Sequence, residues 1–216
     1  GTSGTSGSDT SGSSGTSAQI ESLDTFDMFT DRDKETGYDE STSPLITLDG
    51  NSAQCEDSSV IIEGTTITLQ EEGTYILTGT LDNGQIIVDA KDTAKIQIVL
   101  NNANINCDTS AAIYVRQADK VFITLAPESS NVLSNTSEFI AIDDNNIDAV
   151  LFSKDDLTLN GSGTLTVDAA YGHGIVSKDD LVITGGTYNI SAASHGLSGK
   201  DSIRILTCTL TLTTGK

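Results

Sequence analysis

The sequence predicts an all-β protein, a single-stranded right-handed parallel β-helix with three short strands in each coil of about 22–25 residues. Three observations indicate this solenoid. The segment SKDDL occupies residues 153–157 and again 177–181, and a diverged copy, GKDSI, occupies 199–203. Short alternating apolar segments separated by Gly, Asn and Asp fill the chain after residue 40. Helix signals are nearly absent from the same region.

The second strand-like piece of each repeat defines the period. Its matching apolar positions lie 25, 36, 24 and 22 residues apart, and the interval of 36 contains an insertion around TSEFIAIDDNN. These positions are Ile96, Val121, Leu157, Leu181 and Ile203. A propeller blade needs roughly 40 residues, so the spacing favours a β-helix coil. The right hand follows from the handedness of parallel crossovers.

Alternation within the strands predicts which side chains form the core. We expect four apolar side chains of one coil and four of the next to point inward: Leu157, Leu159, Leu165 and Val167, then Leu181, Ile183, Tyr188 and Ile190. Three threonines should face outward: Thr158, Thr164 and Thr166. Gly161 and Gly185 are expected to turn corners with positive φ.

Composition divides the chain into three parts. Residues 1–23, rich in Gly, Ser and Thr, are predicted to be a flexible linker that tethers the domain to a cell-surface anchor or a similar upstream partner. Residues 24–59 are expected to be an acidic N-terminal capping segment, and residues 60–216 the β-helix domain. Because the sequence stops just after a strand, we expect a C-terminal truncation, with further coils or another chain covering the open end.

Charge and hydropathy exclude several classes of partner. Asp and Glu number 31 against 11 Lys and Arg, which gives a formal net charge of −20. Such a chain repels nucleic acid and anionic lipid, and without a run of 18 apolar residues it has no predicted membrane span. Cys55, Cys107 and Cys208 lack zinc-type spacing and are expected to be isolated small hydrophobic residues.

Stacked coils place equivalent residues in columns about 4.8 Å apart. The first charged column is Lys154, Lys178 and Lys200, and the second is Asp155, Asp179 and Asp201. A third column has Asp156 and Asp180 over Ser202. Just before these columns, we expect Asp148, His173 and His195 at equivalent positions, either as an exposed turn column or in contact with a sugar or a metal.

Aspartates in such a column repel each other, by roughly 1 kcal/mol in bulk water and roughly 3 kcal/mol at an effective dielectric constant near 20. Either the neighbouring lysines neutralise them, or calcium ions, which bind oxygens at about 2.3–2.6 Å, lie between the coils. A solvated Lys-Asp turn and a calcium site both remain open. The insertion AIDDNNID favours calcium, because it adds three carboxylates near the same edge: Asp143, Asp144 and Asp148.

Five segments carry a family resemblance, and they occur in this order: GTYILTGTLDNGQIIVDA, IYVRQADKVFITLA, AIDDNNIDAVLFSKDDLTLNGSGTLTV, HGIVSKDDLVITGGTY and HGLSGKDSIRI. They resemble the clostridial secreted carbohydrate-binding domains of the parallel β-helix type, which are distant relatives of the pectate-lyase solenoids. The resemblance runs from about residue 24 to the end of the chain. His-Gly at 173 and 195 departs from the Asp-Gly that other members often carry.

The resemblance implies a right-handed parallel β-helix, bound Ca²⁺ and binding of plant cell-wall polysaccharide. Related pectate lyases hold calcium with aspartates from neighbouring coils, a pattern that Asp155, Asp179 and Asp180 match. The full set of predicted calcium ligands is Asp143, Asp144, Asp148, Asp155, Asp156, Asp179, Asp180 and Asp201. The predicted glycan contacts are Lys154, Lys178, Lys200, His173 and His195.

These expectations favour an extracellular or cell-surface bacterial module that binds an acidic pectic glycan through calcium. Acidic glycans are favoured over cellulose because the chain has no Trp to form a stacking platform. One alternative is a calcium-dependent pectate lyase with Lys178 or Lys200 as proton abstractor. Nearby aspartates would raise the pKa of that lysine, which disfavours the enzyme. A second alternative is a structural or adhesive solenoid whose calcium only stabilises turns.

Overall fold

The computed structural model describes Gly1 and residues 28–215, and over these residues the protein is all-β with one short helix. The predicted linker, apart from Gly1, lies outside the described residues. Within the described part of the chain, no helix is long and apolar enough to cross a bilayer.

The secondary-structure elements follow one another in short segments. The helix is α1 (Asp31–Lys34). The strands are β1 (Leu45–Gly50), β2 (Ser52–Gln54), β3 (Val60–Glu63), β4 (Thr66–Leu69), β5 (Gly73–Leu81), β6 (Gln85–Asp89), β7 (Lys95–Asn106), β8 (Ile113–Gln117), β9 (Lys120–Leu125), β10 (Ser130–Asn135), β11 (Ala149–Ser153), β12 (Asp156–Gly161), β13 (Thr164–Ala169), β14 (His173–Ser177), β15 (Asp180–Ile183), β16 (Thr187–Ala192), β17 (Leu197–Gly199), β18 (Ser202–Ile205) and β19 (Thr209–Thr214).

The strands form two sheets, of 12 and 7 strands, and most neighbours within them are parallel. The smaller sheet runs β17-β14-β11-β8-β6-β4-β3, and the main path of the larger runs β18-β15-β12-β9-β7-β10-β13-β16-β19. The larger sheet curls because the two halves of the long strand β7 belong to different faces of the sheet stack. Its first half pairs with β9 and its second half with β10, on either side of Asn102, which has a φ of 57°.

The strand register confirms the period predicted from the second piece of the repeat. Ile96 pairs with Val121, Val121 with Leu157, Leu157 with Leu181, and Leu181 with Ile203. The interval of 36 residues is therefore one step of the stack with an insertion outside the ladder. From β11 onward each strand pairs with the third strand after it, which fits a solenoid of three-stranded coils.

The predicted core is confirmed, since all eight apolar side chains that were expected to point inward are at most 2% exposed. Full burial of a Leu or Ile side chain contributes about 1.5–3 kcal/mol, so this column of aliphatic residues is the main source of stability. The one polar atom among the eight, the Tyr188 hydroxyl, donates to the Gly185 carbonyl at 2.7 Å. The three cysteines are free, and Cys55 and Cys208 pack against the core.

Thr158 lies on the outer face of the sheet, as expected, but it is buried because an N-terminal segment covers it. One local expectation was wrong. The positive φ in the second corner belongs to Gly186 (96°) and not to Gly185, whereas Gly161 has the expected positive φ of 95°. Gly185 is constrained by close approach, because a Cβ there would lie 2.6 Å from the Gly161 carbonyl oxygen.

Residues 28–44, here called the N-terminal strap, run along the outer face formed by β7, β9, β12, β15 and β18. The buried carboxylate of Asp33 is the centre of its attachment. It lies 2.7 Å from Lys120 Nζ and accepts a hydrogen bond of 2.7 Å from the Thr158 hydroxyl. At one end of the strap Tyr38 packs against Ile76 and Val99, and at the other the Met28 carbonyl accepts from Arg204.

Asp33 also caps α1, because Thr30 and Asp33 exchange side-chain and backbone hydrogen bonds. Burial raises the pKa of Asp33, but hydrogen bonds from Lys120, Thr158 and Thr30 outweigh it and hold the pKa below its ordinary value. The folded-state pKa is therefore depressed. This stabilisation is fully present above about pH 4 and is lost as the pH falls through the folded-state pKa.

Replacement of Asp33 by Asn should release the strap. It leaves Lys120 without its partner in a largely buried position, so we expect a loss of about 3 kcal/mol in the free energy of unfolding, measured by urea denaturation. The matched control is Asp31→Asn on the exposed side of the same helix, which should change stability by less than about 0.5 kcal/mol. Equal effects of the two substitutions would contradict this role for Asp33.

Candidate functional site

The predicted site residues lie in two neighbouring places. The first is the turn between the first and second strand of three successive coils, residues 153–156, 177–180 and 199–202, here called the KDD turn. The second is the insertion, residues 136–148, between β10 and β11. Both border the 7-stranded sheet, because the KDD turns leave β11, β14 and β17 and the insertion leads into β11.

Buried serines hold the KDD turn. The Ser153 hydroxyl donates to the Asp155 carbonyl at 2.7 Å and accepts from the Asp155 N–H at 3.2 Å. The Ser177 hydroxyl donates to the same carbonyl at 3.0 Å and accepts from the Asp179 N–H at 3.1 Å. Sequence reasoning missed these two residues, although a serine precedes KDD in both copies of the repeat.

Three of the KDD-turn aspartates that were predicted to bind calcium contact other groups of the protein. Asp155 accepts a hydrogen bond from the Ala118 N–H at 2.9 Å, and burial raises its pKa. Asp156 accepts from the Asp180 N–H at 3.2 Å. Asp180 in turn accepts from the Ser202 hydroxyl at 2.6 Å and is paired with Arg204. The Arg204 guanidinium offsets the charge of Asp180, and the neutral donors stabilise the carboxylates of Asp155 and Asp156 by hydrogen bonding.

Asp179 and Asp201 follow one another on successive coils, and the Asp201 backbone N–H donates to the Asp179 carbonyl at 3.2 Å. The interaction with the Asp201 carboxyl group, followed by burial and the charge of Asp156, raises the pKa of Asp179. Two carboxylates meet in this way only when a proton or a cation lies between them. The proton that Asp179 retains to higher pH, or a bound cation, therefore offsets the charge that the two carboxylates bring together.

The lysine column lies beside the aspartates and is exposed to solvent. Lys178 extends over the Phe152 ring at 5.4 Å and lies 4.0 Å from Asp148 Oδ2. Within the described chain, Lys154 and Lys200 form no ion pair with a carboxylate, so their ammonium groups are available to a ligand.

The insertion covers aromatic side chains on the outer face of the 7-stranded sheet. Asp143 accepts hydrogen bonds from the Tyr114 hydroxyl at 2.7 Å and from Arg116 Nε at 3.2 Å. Burial and the bond to Asp143 raise the pKa of Tyr114 to about 12. Asp143 thus has a structural role in fastening the insertion, whereas Asp144 is exposed to solvent.

The histidine column is shifted from the expected register at its first member. Ala149, and not Asp148, pairs with His173, because Asp148 precedes β11 at the end of the irregular insertion. Its side chain still reaches the histidines, since Asp148 Oδ2 lies 3.8 Å from His173 Nε2. The rings of His173 and His195 stack with centroids 4.8 Å apart.

No preformed metal centre exists in the described residues, since no three His, Cys, Asp or Glu side chains are grouped to hold an ion. The Asp179–Asp201 pair supplies two carboxylates, whereas calcium takes 6–8 oxygen ligands. The pair fits calcium only as part of a site that a ligand and water complete. A cavity of about 640 Å³ lies away from this pair, between residues 41–47 and 54–57.

Asp143 and its neighbour Asp144 provide a matched test of the insertion. Asp143→Ala should lower the free energy of unfolding by about 1–3 kcal/mol, because it leaves the buried Tyr114 hydroxyl without its acceptor and removes one of the two carboxylates that Arg116 contacts. Asp144→Ala should change it by less than about 0.5 kcal/mol. Thermal and urea denaturation of both variants measures the difference. A larger effect for Asp144 would show that the insertion is fastened differently.

Three comparisons place this architecture among known proteins. The family described as "Carbohydrate-binding domain-containing protein" matches residues 63–216. A relative of the same description from Acetivibrio thermocellus is 39% identical over 128 residues, which cover 58% of this chain and 45% of the relative. The chain therefore spans less than half of that relative's length.

A solved structure has a similar fold. It is the polysaccharide lyase-like protein from C. thermocellum, studied as a gadolinium derivative, with a TM-score of 0.72 and 27% sequence identity. The similarity covers 80% of this chain and 82% of that chain. The matched family spans both sheets, the insertion and the KDD turns, so the chain belongs to the carbohydrate-binding domain-containing protein family.

Proposed function

We propose that this domain binds an acidic plant cell-wall polysaccharide of the pectic class, with calcium ions joining its carboxylates to those of the polymer. Family membership supports a polysaccharide partner. The observation that carries the finer proposal is the stacking of Asp179 and Asp201 on successive coils, where the Asp201 N–H donates to the Asp179 carbonyl at 3.2 Å. The Asp201 carboxyl group raises the pKa of Asp179, so a cation between the two carboxylates would relieve their repulsion.

A half-complete calcium site explains why the ligand should itself be acidic. Two protein carboxylates leave most of the calcium coordination sphere open. Uronate groups of a pectic chain supply further oxygens, so the ion is held firmly only when protein and polymer are both present. The net charge of −20 adds to this argument, because a polyanionic ligand needs a cation at the contact.

The lysine column adds positive charge along the edge where the polymer is proposed to bind. Lys154, Lys178 and Lys200 follow one another on the same edge as the aspartate pair, one per coil. An extended polyuronate lying along this edge meets an ammonium group at each coil. Lysine binds such carboxylates as a point charge.

The supporting scaffold is, in this proposal, a single right-handed parallel β-helix, as the pairing of every third strand suggests. The similar fold of the polysaccharide lyase-like protein supports a solenoid. We place the domain outside the cell, where calcium-binding modules work at dissociation constants of about 10⁻⁴–10⁻³ M.

The test is binding to polygalacturonate in calcium and then in EDTA. The double variant Asp179→Asn with Asp201→Asn should abolish the calcium-dependent retention seen for the wild-type chain. Asp168→Asn, an exposed aspartate on β13 away from the KDD turn, is the matched control and should bind as the wild type does. Equal retention of the double variant and the wild type would refute the assignment.

The ultraviolet absorbance of unsaturated product, followed in the same samples, separates binding from lyase activity. We expect no rise in absorbance. Melting temperature gives an independent readout, since calcium should raise it in the wild type and not in the double variant. Calcium stabilisation without retention on the polymer would instead support a structural solenoid.

The raised pKa of Asp179 predicts a pH effect in EDTA. A carboxylate with a raised folded-state pKa adds stability below its unfolded value near 4 and loses it as the pH rises through the folded-state pKa. Asp179→Asn removes the carboxylate, so the melting temperature of this variant should fall less than that of the wild type between about pH 4 and pH 7. Identical pH profiles would mean that the pair is not strained in the calcium-free protein.

A further inference from the structure

The two histidines of the chain form a close pair near the edge of the 7-stranded sheet. His173 begins β14, and His195 lies two residues before β17. Their Nδ1 atoms are 3.1 Å apart. The backbone N–H of His195 donates to His173 Nδ1 at 3.0 Å, so this nitrogen carries a lone pair and the ring proton is assigned to Nε2.

Asp148 lies on the opposite side of the His173 ring. Its Oδ2 atom is 3.8 Å from Nε2, and its Oδ1 atom is buried without a hydrogen-bond partner among the described residues. A carboxylate that faces the far nitrogen of an imidazole is the usual device for orienting a metal-binding histidine. Lys178, 4.0 Å from the same Oδ2, is the cation that faces this group from the next turn.

We propose that His173 and His195 bind a divalent transition-metal ion of the Zn²⁺, Ni²⁺ or Cu²⁺ class through their Nδ1 atoms, with Asp148 as a positioning residue. Nitrogens that ligate Zn²⁺ at about 2.0–2.1 Å lie about 2.9 Å apart at a right angle and about 3.3 Å apart at a tetrahedral angle. The observed separation of 3.1 Å falls between these values. The metal replaces the hydrogen bond from the His195 backbone, and water completes the coordination.

The chemistry of the pair separates this site from the carboxylates of the KDD turn. Imidazole nitrogens suit zinc, nickel and copper, whereas calcium prefers oxygen ligands. The histidine site therefore does not depend on the calcium proposal. It assigns Asp148 to orienting His173 and not to holding calcium.

The site is tested by titrating the untagged full chain with ZnCl₂ while the imidazole resonances are followed by NMR. The chain has only these two histidines, so His173→Ala and His195→Ala assign the signals. Both imidazoles should shift together and saturate at one Zn²⁺ per chain. Each alanine variant should bind at least about 10-fold more weakly, and Asp148→Asn about 10–100-fold more weakly.

Controls separate this result from other modes of metal binding. Ser194→Ala, next to His195 on the same turn, should leave the affinity unchanged. Because imidazole binds metal in its neutral form, the affinity should fall as the pH drops through the pKa of His173, which burial lowers from its ordinary value. Imidazole signals that do not shift when Zn²⁺ is added would overturn the proposal, and so would a double histidine variant with wild-type affinity for Zn²⁺. Displacement by an equimolar amount of Ca²⁺ would also overturn it.

Discussion

Parallel pairing in register between successive coils is the constraint on which the rest of this domain depends. It places Leu157 on Leu181 and Leu181 on Ile203, so that the interior is a continuous aliphatic column. The same register also aligns the side chains of each turn with those of the turn in the next coil. Repeated aspartates therefore lie next to their own copies. The register that stabilises the core also brings like charges together on the surface.

The domain relieves this repulsion in different ways at adjacent positions. Asp155 accepts a hydrogen bond from a backbone N–H. Asp156 accepts from the Asp180 N–H, and the Asp180 carboxylate accepts from Arg204. At Asp179 and Asp201 neither solution is used. The Asp201 carboxyl group instead raises the pKa of Asp179, so these two aspartates carry the least favourable ionisation of the stacked turn.

The repetitive part of the architecture could be predicted from the sequence because each coil repeats the same physical problem. The copies of SKDDL gave the period, and alternation gave the inward residues. The strap was not predictable in this way, since the bond between Asp33 and Thr158 joins residues 125 positions apart and occurs once. Periodicity carries no information about contacts of that kind.

The side-chain contacts of the candidate site could not be predicted for a similar reason. Repeat spacing aligned the aspartates, but each carboxylate had several partners within reach, and only the folded geometry shows which one it uses. The shift of Asp148 relative to His173 arises where the irregular insertion joins β11, so the repeat offered no register there. The sequence therefore predicted well which residues of the repeat are neighbours. It predicted poorly which partner each side chain contacts.

The course of the strap has a mechanical consequence. Met28 lies against Arg204 on β18, and β19 belongs to the same last coil, so the described chain enters and leaves the stack at one end. The strap then carries the backbone back to the first coil before winding begins. A force applied between residues 28 and 215 is therefore borne first by the contact between Met28 and Arg204 and by the strands of the last coil. It reaches the Asp33 attachment on β9 and β12 only after that contact has broken.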